Sequence, residues 1–236
     1  MSIKKEFLSQ LLLFLFFMLL VVFSTLFIFR AKSKNAIVND KAINVELKNY
    51  TKTLDSIKII KKKLETKSTK EIGETFTNIL TNKIFPYWYG TKWDYNGTTQ
   101  KPNEGEIACG YFVTTTLRDT GLNINRIKLA QCASEEMIQS IVSEKNIFRF
   151  SNKSIQEFEN ILKSKGNGIY IVGLDNHTGF VLISNNSNFF IHSSGISPYK
   201  VIKEKLLESR LIVNSKYRVV GKLSSDKKML NNWIKN

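Results

Sequence analysis

The chain has 236 residues, 42% of them hydrophobic, which allows one good-sized domain with a small addition and excludes two full domains. Its formal net charge is +15, but the lysines are scattered and no nucleic-acid-binding motif accompanies them, so we expect no nucleic-acid partner. A basic surface facing membrane lipid or acidic cell-wall polymers explains the charge instead. Two cysteines without metal-ligand spacing do not make a disulfide scaffold.

An apolar segment extends from Phe7 to Phe29. Its part from Leu11 onward is long enough to cross a bilayer as a helix. A cleaved signal peptide is the alternative, but no small-residue cleavage site follows the segment, which favours an uncleaved anchor over residues 1–30. Basic residues flank both of its ends, so the distribution of positive charge does not determine the orientation.

A Lys-rich stem over residues 31–68 follows the anchor. Apolar residues at helical spacing predict a solvated spacer helix from about Val45 to Thr66, with Lys61 on its wet side. A second helix from about Thr69 to Thr81 opens the main domain, which we assign to residues 69–236.

Residues 85–99 are dense in aromatic side chains and punctuated by glycine. Tyr89, Trp93 and Tyr95 belong to this segment. Such a composition suits the wall of a cleft, and it equally suits a packed loop whose rings cover the core.

Cys109 stands between a Gly-containing loop and an apolar stretch that ends near Leu117, with Gly121 in the position of a C-terminal cap. The cysteine is therefore expected in the first turn of a buried helix, where free N–H groups and the helix dipole favour a thiolate. Taken alone, Cys109 is more typical of a small hydrophobic core residue, as most free cysteines are.

Downstream, the periodicity changes from helical to strand-like. Helices are predicted over Ala133–Glu144 and over Ser154–Lys165, the second with a capping box formed by Ser154 and Glu157. Three short strands joined by turn residues predict an antiparallel meander, followed by a fourth strand and a closing helix; they cover Ile169–Leu174, His177–Ser184, Asn188–Ser193, Tyr217–Leu223 and Asp226–Ile234. The fold class is α+β, with helices packed on an antiparallel sheet.

His177 and His192, the only two histidines, both lie in this meander. They are fifteen residues apart across a hairpin whose loop lies near the midpoint, which predicts opposite or diagonal neighbours at one end of adjacent strands. Together with a cysteine at a helix N-terminus, they offer what a thiol nucleophile needs: a base, and a second group that orients that base.

A cysteine at a helix start, His-x-Gly at a strand start and Ile-His-x-Ser on the next strand together resemble the NlpC-type papain-like cysteine peptidases, a family of bacterial cell-wall endopeptidases and amidases. The likeness covers roughly residues 85–223. It implies a papain-like domain in which Cys109 is the nucleophile, His177 the general base and His192 the third polar residue. It also implies an upstream tyrosine that helps to bind the oxyanion, for which Tyr95 is the nearest equivalent and Tyr89 the next.

The same resemblance implies an amide substrate in peptidoglycan stem peptides, no cofactor and no metal. Together with the apolar anchor, which predicts a single-span protein of the bacterial inner membrane, the resemblance implies a catalytic domain outside the cytoplasm. The chain departs from the family at the residues that flank the cysteine: Ala108 and Gly110 stand where the family usually has Asp and Ser. This departure bears on substrate preference more than on nucleophilicity.

Four alternatives remain open. A disulfide between Cys109 and Cys132 would make the site structural. A zinc site built from both cysteines and both histidines has suitable ligand types but lacks a closely spaced ligand pair. The chain could also be an inactive envelope-binding or scaffold protein on the same fold. Finally, a transglutaminase-like acyl transferase uses the same Cys-His chemistry, usually with an aspartate as its third residue.

Overall fold

The computed structural model describes residues 46–235 together with Met18. By its internal contacts the chain divides into Met1–Glu46 and Leu47–Asn236, and the fold given below is that of the second unit. The predicted apolar segment Phe7–Phe29 lies outside the described residues apart from Met18. Among the residues that are described, no helix combines the length and the hydropathy needed to cross a membrane.

Nine helices are described, α1 over residues 46–62 and eight others. The others are α2 (Thr69–Asn78), α3 (Phe85–Trp88), α4 (Cys109–Asp119), α5 (Arg126–Gln131), α6 (Ser134–Ile141), α7 (Ile155–Ser164), α8 (Arg210–Asn214) and α9 (Lys227–Lys235). A π-helical turn, Ile79–Ile84, joins α2 to α3, and a short 3-10 turn, Glu144–Asn146, precedes the first strand.

Six strands form one antiparallel sheet in the order β1-β6-β2-β3-β4-β5. The strands are β1 (Ile147–Ser151), β2 (Gly168–Leu174), β3 (Thr178–Ile183), β4 (Phe189–Ser193), β5 (Val201–Lys205) and β6 (Tyr217–Lys222). The α+β class and the antiparallel meander of β2, β3 and β4 are thus confirmed.

The sheet separates two hydrophobic cores. Along β2, Ile169 and Ile171 join the larger core, to which α2, α4, α6 and α9 contribute, whereas Tyr170 and Val172 join a second core beneath α7. Successive strand residues point to opposite faces, so a strand that is covered on both sides is apolar at nearly every position. This arrangement fixes α4 against β3 and β4.

The helix predicted after residue 45 is present as α1, but it packs on the domain and is not a solvated spacer. Tyr50, Ile57 and Leu64 are buried in the larger core. Lys61, expected on the wet side, is only 7% exposed, and its ammonium group donates a 3.0 Å hydrogen bond to the carbonyl of Gly121 just after α4. Burial lowers the pKa of this ammonium group.

Several local predictions differ from the structure at their boundaries. The cap of α2 is Ser68, which forms a capping box with Glu71. Helix α6 has no side-chain cap and covers Ser134–Ile141, which is shorter than the predicted Ala133–Glu144. The structure also contains β1 and β5, both edge strands, where no strand was predicted.

Candidate active site

Cys109 occupies the first position of α4, immediately after Ala108, whose backbone is extended. Burial raises the pKa of the Cys109 thiol above the ordinary value. The backbone N–H groups of Thr178, Gly110 and Cys109 act in the opposite direction but do not offset the effect of burial. The predicted helix N-terminus is present at Cys109, but burial outweighs the stabilisation of the thiolate that was expected from it.

The two histidines are hydrogen-bonded to each other. Nε2 of His177 lies 2.9 Å from Nδ1 of His192, and the two rings meet nearly at right angles. In the strand register Phe180 pairs with Ile191, which sets His192 beside Gly179 and makes His177 its diagonal neighbour. The predicted proximity of the two rings is therefore confirmed. Thr178, the residue after His177, has a backbone N–H that acts to lower the pKa of the Cys109 thiol.

Two glycines let these parts approach one another. A Cβ on Gly179 would lie 2.8 Å from the Cβ of His192 and 2.7 Å from the ring of Phe190, so only glycine leaves room for the second histidine. A Cβ on Gly110 would lie 2.4 Å from the carbonyl oxygen of Ala130 in α5. Close packing of α4 against α5 thus accounts for the glycine that follows the cysteine.

Both imidazoles are uncharged at neutral pH. Burial, followed by the influence of His192, lowers the pKa of His177 to about 3. Burial also lowers the pKa of His192, although its hydrogen bond with Glu204 acts the other way. His192 is completely buried and stacks on Phe190, with ring centroids 4.1 Å apart. The site at rest therefore contains a neutral thiol and neutral imidazoles.

Glu204 is the site residue that sequence reasoning missed. Its Oε1 lies 2.9 Å from Nε2 of His192, which extends the hydrogen-bonded series to His177, His192 and Glu204. Glu204 lies on β5, where Ile202 pairs with His192, so the carboxylate is on the same face of the sheet as that ring. A prediction of β5 and of its register would have been needed to find it.

A cavity of about 760 Å³ opens beside the cysteine. Cys109 and His177 line it together with Trp93, Tyr95 and Tyr111. A second cavity of about 530 Å³ also contains Cys109 and His177 in its lining, and its remaining wall includes Cys132, Ser134, Glu135 and Tyr217. The two cavities share the cysteine and the histidine, so each opens onto the same pair of side chains.

The predicted aromatic residues have different environments. Trp93 and Tyr95 line the larger cavity, and Tyr95 is 80% exposed at its edge. Tyr89 is not in the lining of that cavity; it packs against the larger core, and burial raises its pKa to about 12. Trp88 is fully buried. Some residues of this segment therefore line the cleft, and others cover the hydrophobic core.

The disulfide and zinc alternatives can be compared with the structure. Cys109 and Cys132 are both free thiols, contrary to the disulfide alternative. Within residues 46–235 no three side chains of histidine, cysteine, aspartate or glutamate are grouped so that they could hold a metal ion. The residues of the zinc alternative therefore do not form such a group.

Comparison with protein-family models, with curated proteins and with solved structures finds no match to this chain.

Proposed function

We propose that the protein is a membrane-anchored cysteine hydrolase that cleaves an amide bond, with peptidoglycan stem peptides as its substrate class. Cys109 is the nucleophile, His177 the general base and His192 the group that orients the base. The observation that carries the proposal is the site itself: a cysteine at a helix N-terminus shares its cleft with a histidine whose far nitrogen is held by a second histidine.

The first step transfers a proton as the sulfur attacks. Nε2 of His177 is engaged by His192, which leaves Nδ1 as the nitrogen available to the thiol. Because the thiol and the imidazole are both neutral at rest, the proton moves from sulfur to Nδ1 while the carbon–sulfur bond forms, rather than before substrate binds. A substrate that fills the cleft is thus needed to make the transfer favourable.

Attack on the amide carbonyl gives a tetrahedral oxyanion. The backbone N–H of Cys109, at the start of α4, is one donor for it, and the exposed hydroxyl of Tyr95 is the candidate second donor. His177 then gives its proton to the nitrogen of the leaving amine as the C–N bond breaks, which yields a thioester. Water, deprotonated by His177, hydrolyses the thioester and regenerates the thiol.

The shape and charge of the molecule support a polymeric amide substrate. Cavities that share Cys109 and His177 give the two sides of a scissile bond separate places to bind. Aromatic rings such as Trp93 supply apolar contact area at the entrance. The net charge of +15 favours an anionic cell-wall polymer over a basic one.

We further propose that the domain is papain-like and of the NlpC type. The support is the packing of the cysteine-bearing helix α4 on strands β3 and β4 of an antiparallel sheet, with the first histidine immediately before β3. In this proposal the segment Phe7–Phe29 anchors the protein in the bacterial inner membrane, with the domain on the outer side where peptidoglycan is found. Protease added to cells with a permeabilised outer envelope should then remove the domain.

The test is release of soluble fragments from isolated cell wall by the purified full-length protein. We expect release by the wild type and none by Cys109→Ala or His177→Ala, since each removes a group that reacts. Cys132→Ala is the matched control: it removes the other thiol, which takes no part in the proposed proton transfers, and the variant should still release fragments. Mass spectrometry of the fragments identifies the bond that is cleaved.

One observation favours a second candidate function, binding to the cell envelope without turnover. The pKa of the Cys109 thiol is raised by burial, as in cysteines that do not react. Wild-type protein that sediments with cell wall, releases nothing and leaves Cys109 unmodified by an electrophilic substrate analogue would establish this function and contradict the hydrolase.

A further inference from the structure

We propose that Glu204 is a positioning residue, and that its carboxylate fixes the proton positions of both histidines so that Nδ1 of His177 is kept as a lone-pair acceptor. The inference deepens the proposed function, because the acceptor is the atom that would take the proton of the thiol. Its evidence is the hydrogen-bonded series of three side chains, which stands whether or not the protein hydrolyses an amide.

The series begins with an ionised carboxylate. Glu204 lies on the edge strand β5, and its side chain is 31% exposed, so water reaches it. Burial acts to raise its pKa, but hydrogen bonding from His192 acts in the other direction and the net pKa is lowered. A carboxylate can only accept hydrogen bonds, which decides the direction of the next bond.

His192 must therefore donate from Nε2 to Oε1 of Glu204. Since the ring is fully buried and neutral, it carries a single N–H, and its Nδ1 is an acceptor. That nitrogen lies 2.9 Å from Nε2 of His177, which in turn must be the donor of the second bond. His177 is also neutral, so its one proton is used and Nδ1 is left with its lone pair.

Without the carboxylate the same two rings could adopt the opposite arrangement. His192 could then donate from Nδ1 to Nε2 of His177, and the proton of His177 would lie on Nδ1. In that form the nitrogen nearest to the proposed reaction carries a hydrogen and cannot accept one from a thiol. Glu204 thus acts through His192 on an atom that it does not touch, as outer residues do when they select the tautomer of a catalytic imidazole.

Long-range proton–nitrogen NMR on the full-length protein tests the inference directly. The chain has only two histidines, so the imidazole region contains two rings. In the wild type we expect both rings to be protonated at Nε2 and unprotonated at Nδ1. A wild-type spectrum with the proton on Nδ1 of His177 overturns the proposal, whatever the activity of the protein.

Glu204→Gln supplies the second measurement. An amide can donate as well as accept, so both rings should show the Nδ1–H form in part or completely. Glu208→Gln is the matched control, because Glu208 is an exposed glutamate that pairs with Lys205, and the variant loses the same charge. Unchanged tautomers in Glu204→Gln with intact fold overturn the proposal.

If the wild type hydrolyses cell wall, kcat of Glu204→Gln should fall by about tenfold or more while KM changes little, as for a lost orienting group. A fall in kcat without a change of tautomer would contradict the positioning role. Absence of hydrolysis in the wild type would instead contradict the proposed function and leave the NMR result to decide the inference.

Discussion

At Cys109, burial and helix geometry act in opposite directions on the thiol. Backbone N–H groups, two of them at the start of α4, act to lower the pKa of the thiol, yet the pKa remains above its ordinary value because burial acts more strongly. His177 cannot compensate, since its own pKa is lowered to about 3. The position of the cysteine could be read from the sequence, but its ionisation depends on burial that only the assembled fold defines.

Alkylation of Cys109 should therefore depend steeply on pH. We expect the rate with iodoacetamide to be low at neutral pH and to rise on the alkaline side, because the reactive thiolate forms only above the raised pKa of the thiol. Mass spectrometry of the peptide that contains Cys109 measures the rate at each pH. A rate that is high and constant from about pH 5 to 8 would reveal a thiolate–imidazolium pair and contradict the neutral resting state.

Glu204, unlike the two histidines, could not be identified as a site residue from the sequence. The two histidines could be paired from sequence, because a short hairpin brings residues at equal distances from its loop together. Glu204 follows β4 by a longer connection and lies on β5, a short strand with lysines at two of its five positions. Charged side chains of this kind are common on edge strands, and they hide the strand periodicity.

Among the elements, α7 and α4 were the most predictable. Ser154 and Glu157 form the capping box expected at the start of α7, and this local interaction requires no tertiary contact. In contrast, no helix was predicted at the position of α5. Its six residues form a helix because Asn125 caps it and Leu129 packs into the larger core. Short elements of this type depend on the packing that surrounds them.

The contact between α4 and α5 gives a prediction at the level of elements. Gly110→Ala should lower the free energy of unfolding by about 1–3 kcal/mol, because the added methyl group would overlap the carbonyl oxygen of Ala130, which cannot move alone. It should also displace the first turn of α4 and with it Cys109. Urea unfolding checks the first effect, and unchanged stability would show that α5 yields easily at this position.

At the scale of the whole molecule, buried contacts join α1 to the helices of the main domain. Helical periodicity was identified in α1, but a regular apolar spacing does not say whether the apolar face meets the same domain or another surface. The hydroxyl of Tyr50 donates to Asp119 at 2.6 Å and accepts from the indole of Trp88 at 2.9 Å. These contacts join α1 to α3 and α4.

Tyr50→Phe should therefore lower the free energy of unfolding by about 1–3 kcal/mol, because it leaves a buried carboxylate oxygen and a buried indole N–H without the partner they share. Chemical denaturation of the full-length protein measures the effect. Tyr199→Phe is the matched control, since Tyr199 is 55% exposed, and it should be nearly neutral. Equal losses in the two variants would argue that Tyr50 contributes only its ring.

The attachment of α1 also has a mechanical meaning. Tyr50 donates a hydrogen bond to Asp119 in the last turn of α4, and Lys61 donates one to the carbonyl of Gly121, two residues beyond the helix. Tension applied to the chain ahead of α1 would thus be transmitted to the far end of the helix that carries Cys109 at its other end. Force applied to the N-terminal stem would therefore act on α4.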